Sequence, residues 1–169
     1  MISKILHTID KIFPPQPVYA HCDIPCGIYD PYNAQVASHT VIRMTKMLQE
    51  LKPSSAEPPF EERRNIIHQI SRLSGVKEEH AELVKHEVRI IWGDFFKPEH
   101  IERFPDLHEL IFNIMKLASK TKQGVDLDAA NELLSKVQEF AEVFWKAKGL
   151  EPTRIKSSYP TEGEMVSHK

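Results

Sequence analysis

An imidazole and two thiols, those of His21, Cys22 and Cys26, stand within six residues of one another. All three are soft or borderline donors. Pro25 and Gly27 allow a tight reversal that could bring both thiolates to one ion, with Tyr29 near enough to border the site. The Cys-x3-Cys spacing is neither the redox Cys-x2-Cys pair nor half of a zinc-ribbon set. Taken alone, it also fits two incidental thiols or a small strained disulfide. A zinc site normally takes four side-chain ligands, and this segment offers three.

The count changes if the chain is cut between Ala20 and His21. The new α-amine then joins the imidazole, the two thiolates and the Cys22 backbone nitrogen. Its reference pKa of about 7.7 to 8.0 lets it shed a proton and ligate near neutral pH. A plane of two nitrogens and two sulfurs with an axial imidazole suits nickel or copper rather than magnesium, calcium or tetrahedral zinc. Cleavage would therefore switch the site on, and with Ala20 still bonded to His21 the site is expected to be incomplete.

Residues 1–20 read as a leader removed on maturation. Lys4, His7, Asp10, Lys11 and three prolines interrupt the stretch, so it lacks the apolar run of about 7 to 15 residues that a secretory signal uses. Val18-Tyr19-Ala20 does resemble a small-residue cleavage site. A leader processed in the cytoplasm, by a protease cutting Ala20-His21, fits better. No stretch approaches the roughly 20 apolar residues of a membrane span. A formal charge of -2, from 22 basic and 24 acidic residues, gives no field that argues for nucleic acid or membrane binding.

The elements that must position the segment are helical. The 169 residues suffice for one domain with a core. Asp30-Pro31 is a helix start, in which Asp can cap free amides and Pro loses no hydrogen bond. Val41, Met44, Leu48 and Leu51 then keep helical spacing up to Lys52-Pro53. A second helical pattern runs from Phe60 to about Phe96, with a break or bend expected near Ser74-Gly75 and a stop at Pro98. A third spans Leu107 to Lys122, before Gly124, and a fourth about Asp128 to Lys148, closed by Gly149. Short connections favour antiparallel neighbours. The expected fold is thus all-α, an antiparallel up-down four-helix bundle with an irregular N-terminal metal-binding hook, over residues 21–149. Residues 150–169 show no apolar periodicity and are expected to form a mobile tail with no assigned function.

The run His21-Cys22-Asp23-Ile24-Pro25-Cys26-Gly27-Ile28-Tyr29-Asp30-Pro31 resembles the nickel hook of nickel-containing superoxide dismutases, His-Cys-Asp-x-Pro-Cys-Gly-x-Tyr-Asp-Pro, at all nine fixed positions. KEEHAELVKHEVRIIWGDFFKP at 77–98, FPDLHEL at 104–110 and Phe144-Trp145-Lys146 also resemble that family, whose four-helix bundle agrees with the helical pattern. The resemblance implies an antioxidant oxidoreductase that disproportionates superoxide to oxygen and hydrogen peroxide by Ni(II)/Ni(III) cycling, with one nickel ion per subunit. It assigns the α-amine and imidazole to His21, the amide nitrogen and thiolate to Cys22, and the second thiolate to Cys26. Tyr29, with the backbone amides of Asp23 and Cys26, would hold superoxide or peroxide by hydrogen bonds over the open axial face. A cis Ile24-Pro25 peptide and a cytoplasmic homohexamer are further implications.

The sequence departs from the family where some members orient the axial imidazole with an acidic residue and an arginine. Ala37 and His80 stand at those positions. His80 either replaces the arginine or is a plain surface or packing histidine. His39, His68, His86, His100 and His108 lack clustered ligand spacing and read as structural or solvated. Trp92, Phe95, Phe96 and Trp145 read as core or subunit contacts. The alternative to an enzyme is a helical bundle that binds copper or nickel without catalysis, as a store or chaperone.

Overall fold

The computed structural model describes residues 27–169; the leader, His21, Cys22, Asp23, the Ile24-Pro25 peptide and Cys26 lie outside the described residues. Where the description begins, Asp30 sets the first helix: its carboxylate Oδ1 accepts the Tyr32 amide at 2.8 Å, satisfying a donor the helix itself leaves unpaired. Helix α1 then runs Tyr32–Glu50 and α2 runs Phe60–Ile90. A π-helical turn, Ile91–Phe95, follows directly, and then come α3 (Pro98–Arg103), α4 (Leu107–Gln123) and α5 (Leu127–Ala147). Asp126 caps α5 by accepting the Ala129 amide at 2.9 Å, a contact typically worth about 1 kcal/mol.

The four long helices form the expected antiparallel bundle, in which α1 packs on α2, α2 on α4, α4 on α5, and α5 back on α1. The apolar stripes read from the sequence meet in the middle. Val84 and Val88 of α2, Ile111 and Ile114 of α4, and Leu133, Val137, Phe140 and Phe144 of α5 are buried together. Small residues of α1, Ala34 and Ala37, let its backbone approach this core.

One buried charge belongs to the architecture. Lys77, 3% exposed, sends its Nζ to the carbonyls of Thr121 and Gly124 at the end of α4. A cation there satisfies acceptors that the helix terminus leaves open and meets the negative end of the helix dipole. Burial nevertheless holds the ammonium below its ordinary pKa, while Glu78 acts in the opposite direction.

Three expectations need correction. Helix α2 passes through Ser74 and Gly75 without a break; the cost of a helical glycine, about 1 kcal/mol, is small beside the packing of its C-terminal half. Pro98 does not stop α2. The helix ends through the π-helical turn into extended backbone at Phe96, and Pro98 opens α3 instead, where a missing amide costs nothing.

The third correction concerns residues 150–169, which form an antiparallel β-hairpin rather than an unstructured tail. Strand β1 (Pro152–Lys156) pairs with β2 (Glu164–His168), with Arg154 opposite Val166. Glu162 and Gly163, both at positive φ, shape the turn. A lone two-stranded hairpin is marginal in water, and this one rests on helices. Gln35 of α1 donates Nε2–H to the Val166 carbonyl at 3.0 Å and accepts the Val166 amide at 2.7 Å. Gln138 of α5 donates to the Glu164 carbonyl.

Candidate metal centre at the start of the bundle

The described part of the hook is Gly27 to Pro31. Gly27 sits at φ +82°, the left-handed region that a side chain disfavours, so the glycine after Cys26 matches the sharp change of direction expected there. Ile28 is 75% exposed, whereas Pro31 is buried at the foot of α1. Between them, Tyr29 is half-buried and packs on the bundle core. Backbone turn and helix cap together therefore deliver one phenol to the edge of the bundle.

The surface that receives Tyr29 is aromatic. Its ring faces Phe95, with centroids 6.2 Å apart and planes at 59°. Phe95 is in turn held by Phe144 at 4.7 Å, Phe96 at 5.1 Å and His100 at 5.5 Å, the last almost parallel at 8°. The π-helical turn explains how two adjacent phenylalanines contribute. Its i to i+5 spacing puts Ile91 and Phe96 on one buried face, which leaves Phe95 on the rim beside Tyr29. His100 accepts the Lys97 amide on Nδ1 at 3.1 Å, so its neutral ring carries the proton on Nε2.

His80 is half-buried on α2 and donates Nδ1–H to the Val76 carbonyl of its own helix at 2.9 Å. Ala37, at the other departing position, is 1% exposed and belongs to the core. His39 is buried and structural: Nδ1 meets the Thr161 hydroxyl at 2.8 Å and Nε2 the Glu164 carbonyl at 3.3 Å. Among the aromatics assigned to the core, Phe96 and Trp145 are buried, while Trp92 is 39% exposed and donates its indole N–H to His108. Of the residues singled out for the site, the described structure thus positions Tyr29 and His80, and His21, Cys22, Asp23 and Cys26 precede it.

Sequence reasoning missed Phe95 as the neighbour of Tyr29. Its only signal was the Phe95-Phe96 pair at the end of a helical stripe, which a regular helix cannot bury on one face.

Among the described residues, no group of three or more His, Cys, Asp or Glu side chains could hold a metal ion. The donors expected from the sequence are those of residues 21–26, outside the described residues: two thiolates, an imidazole, the Cys22 amide nitrogen and, if the chain is cut before His21, an amine. Soft sulfur with strong nitrogen donors fits nickel. The fold is thus a helical bundle whose first helix is preceded by a segment with the residue types of a metal hook.

Comparison with known proteins specifies the class further. A family model described as nickel-containing superoxide dismutase matches residues 16–148. A superoxide dismutase [Ni] from Streptomyces coelicolor is 35% identical over 141 residues, 83% of this chain and 98% of that protein. The one from Streptomyces seoulensis is 33% identical over the same shares. Among solved structures, native nickel superoxide dismutase at 1.30 Å superposes with a TM-score of 0.62 and 32% identity, covering 76% of this chain and 99% of the other. A form with nickel ligation corresponding to the oxidised state gives a TM-score of 0.65 at 30% identity, over the same shares. The chain belongs to the nickel-containing superoxide dismutase family.

Proposed function

We infer that the chain is a nickel-dependent superoxide dismutase. The observation that carries this reading is the run from His21 to Pro31, which holds every donor of the hook and lies within the stretch matched by the family model. Two superoxide anions and two protons give one oxygen and one hydrogen peroxide, so one anion is oxidised and the other reduced. Nickel supplies the one-electron exchange in both directions.

The residues have distinct tasks in this reading. His21 would hold the metal through its α-amine and imidazole, Cys22 through its amide nitrogen and thiolate, and Cys26 through its thiolate. Thiolates and a deprotonated amide are strong donors, which favour the higher oxidation state. Tyr29, with the amides of Asp23 and Cys26, would orient the anion by hydrogen bonds. The half-burial of Tyr29 against Phe95 supports that task, because a packed ring holds its hydroxyl in one place. His80 would act as a positioning residue for the His21 imidazole through Nε2, since Nδ1 is engaged by Val76.

The finer parts of the reading rest on the sequence. Residues 1–20 would be removed by a protease cutting Ala20-His21, and the mature chain would assemble as a cytoplasmic homohexamer in which neighbours shield each hook from bulk peroxide, to which thiolates are vulnerable. No helix of the described residues is long and apolar enough to cross a membrane. Nickel titration of the chain cut to begin at His21 tests the ligand set. One nickel per subunit is expected, lost in Cys22→Ser and Cys26→Ser together with superoxide decay; tight binding that survives both substitutions would contradict it.

A further inference from the structure

The family match ends at residue 148, and the hairpin at 152–168 lies beyond it. Its contacts are concentrated on the end of the bundle that carries the hook. Along one face of α1, Tyr32, Gln35 and His39 follow at spacings of three and four, and each is held by the hairpin or its turn. The Tyr32 and Tyr159 hydroxyls are 3.1 Å apart. Gln35 exchanges two buried hydrogen bonds with the Val166 backbone, and His39 reaches Thr161 and Glu164.

The same hairpin grips α5. Gln138 donates to the Glu164 carbonyl at 2.6 Å, Arg154 pairs with Glu142 at 2.7 Å, and His168 lies on the Trp145 ring at 4.2 Å between centroids. Asp30 and Tyr32, the residues through which the hook joins the bundle, share a cavity of about 270 Å³ with Trp145, Tyr159 and Val166.

We propose that this hairpin is a clamp that immobilises the hook-bearing end of α1, a positioning element of this chain for the metal centre. The physical case is the usual fraying of a helix start. The first turn of a helix has few internal hydrogen bonds and opens at low free-energy cost. In α1 that turn must hold the hook steady, and the opening requires the Tyr32 and Gln35 contacts to break with it. The link to metal retention rests on the reading of residues 21–31 as the nickel hook; the effect on α1 does not.

Amide hydrogen exchange over residues 28–36 tests the clamp in the metal-free full chain, beside a chain ending at Gly149 and the double variant Tyr159→Phe/Thr161→Val. The double variant removes two hydroxyls without opening the core, so it decides the question if the truncated chain fails to fold. Exchange over 28–36 is expected to quicken at least about fivefold in the double variant, since each hydrogen bond contributes severalfold to a local opening equilibrium. In the same variant cut to begin at His21 and loaded with nickel, the metal is expected to dissociate faster by a similar factor. Unchanged exchange in the double variant would overturn the clamp. Faster exchange with unchanged nickel release would reduce the hairpin to a brace for α1. A parent chain cut to begin at His21 that binds no nickel would instead contradict the functional reading and leave the exchange result to decide the clamp.

Discussion

Tyr29 and Phe95 meet across 66 residues of sequence, ring to ring at 6.2 Å and 59°. The contact joins the last aromatic of the hook to the π-helical turn that ends α2. Phe95→Ala removes one wall from the Tyr29 ring and a partner from Phe96, Phe144 and His100. Because Phe95 is only half-buried, the expected loss of stability is about 2 to 3 kcal/mol, at or below the lower end of the range for core phenylalanines. Thermal denaturation measures this. Turnover is expected to fall in the same variant and to recover substantially in Phe95→Leu, which restores apolar bulk; an alanine variant as active as the parent would separate Phe95 from the site.

His80 offers a sharper spectroscopic test. If its Nε2 steadies the His21 imidazole, His80→Ala should slow superoxide decay by about tenfold or more, the scale on which partners of metal ligands act. It should also change the nickel spectrum of the oxidised protein. Parent-like turnover with a parent-like spectrum would leave His80 as a packing histidine tied to Val76.

Lys77 is expected to matter for stability and not for chemistry. Lys77→Met keeps the aliphatic stem and removes the charge that caps Thr121 and Gly124. Stranded carbonyls at a buried helix end predict a loss of about 1 to 3 kcal/mol in a denaturant titration, with turnover per folded, nickel-loaded subunit unchanged.

The His39 contact predicts a pH dependence with a definite sign. Burial holds the imidazole below its ordinary value of 6.5, and the bond to the Glu164 carbonyl opposes this only in part. As pH drops through 6.5 the unfolded chain takes up a proton that folded His39 still refuses. Stability therefore falls below pH 6.5, until the lowered folded value is reached. His39→Gln is expected to flatten that part of the stability profile, as read from chemical denaturation at several pH values; an unchanged slope would place the acid sensitivity elsewhere.

Much of this molecule was legible from residue order because its helices follow simple periodicity. Asp30-Pro31 announces a helix start, and Val84, Val88, Ile114, Leu133 and Phe140 keep the spacing that buries one face. What escaped was structure made by long-range partners. Strand β2 has no alternating apolar pattern of its own; it exists because Gln35 and Gln138 supply hydrogen bonds to its backbone from 131 and 26 residues away. The π-helical turn escaped because periodicity assumes 3.6 residues per turn, and one extra residue there exchanges the roles of Phe95 and Phe96. The hook, which precedes the described residues, is read on a different ground: its three candidate donor residues, His21, Cys22 and Cys26, lie within six positions, so their types and spacing suggest a chemistry without the rest of the fold.

The requirement for the free amine of His21 is tested directly by superoxide decay followed by pulse radiolysis. The chain cut to begin at His21 and the uncut chain are loaded with nickel identically and compared. Rapid decay in the cut form alone is predicted. Equal acceleration by both forms would contradict the requirement for the amine, and no acceleration by either would contradict the dismutase reading itself.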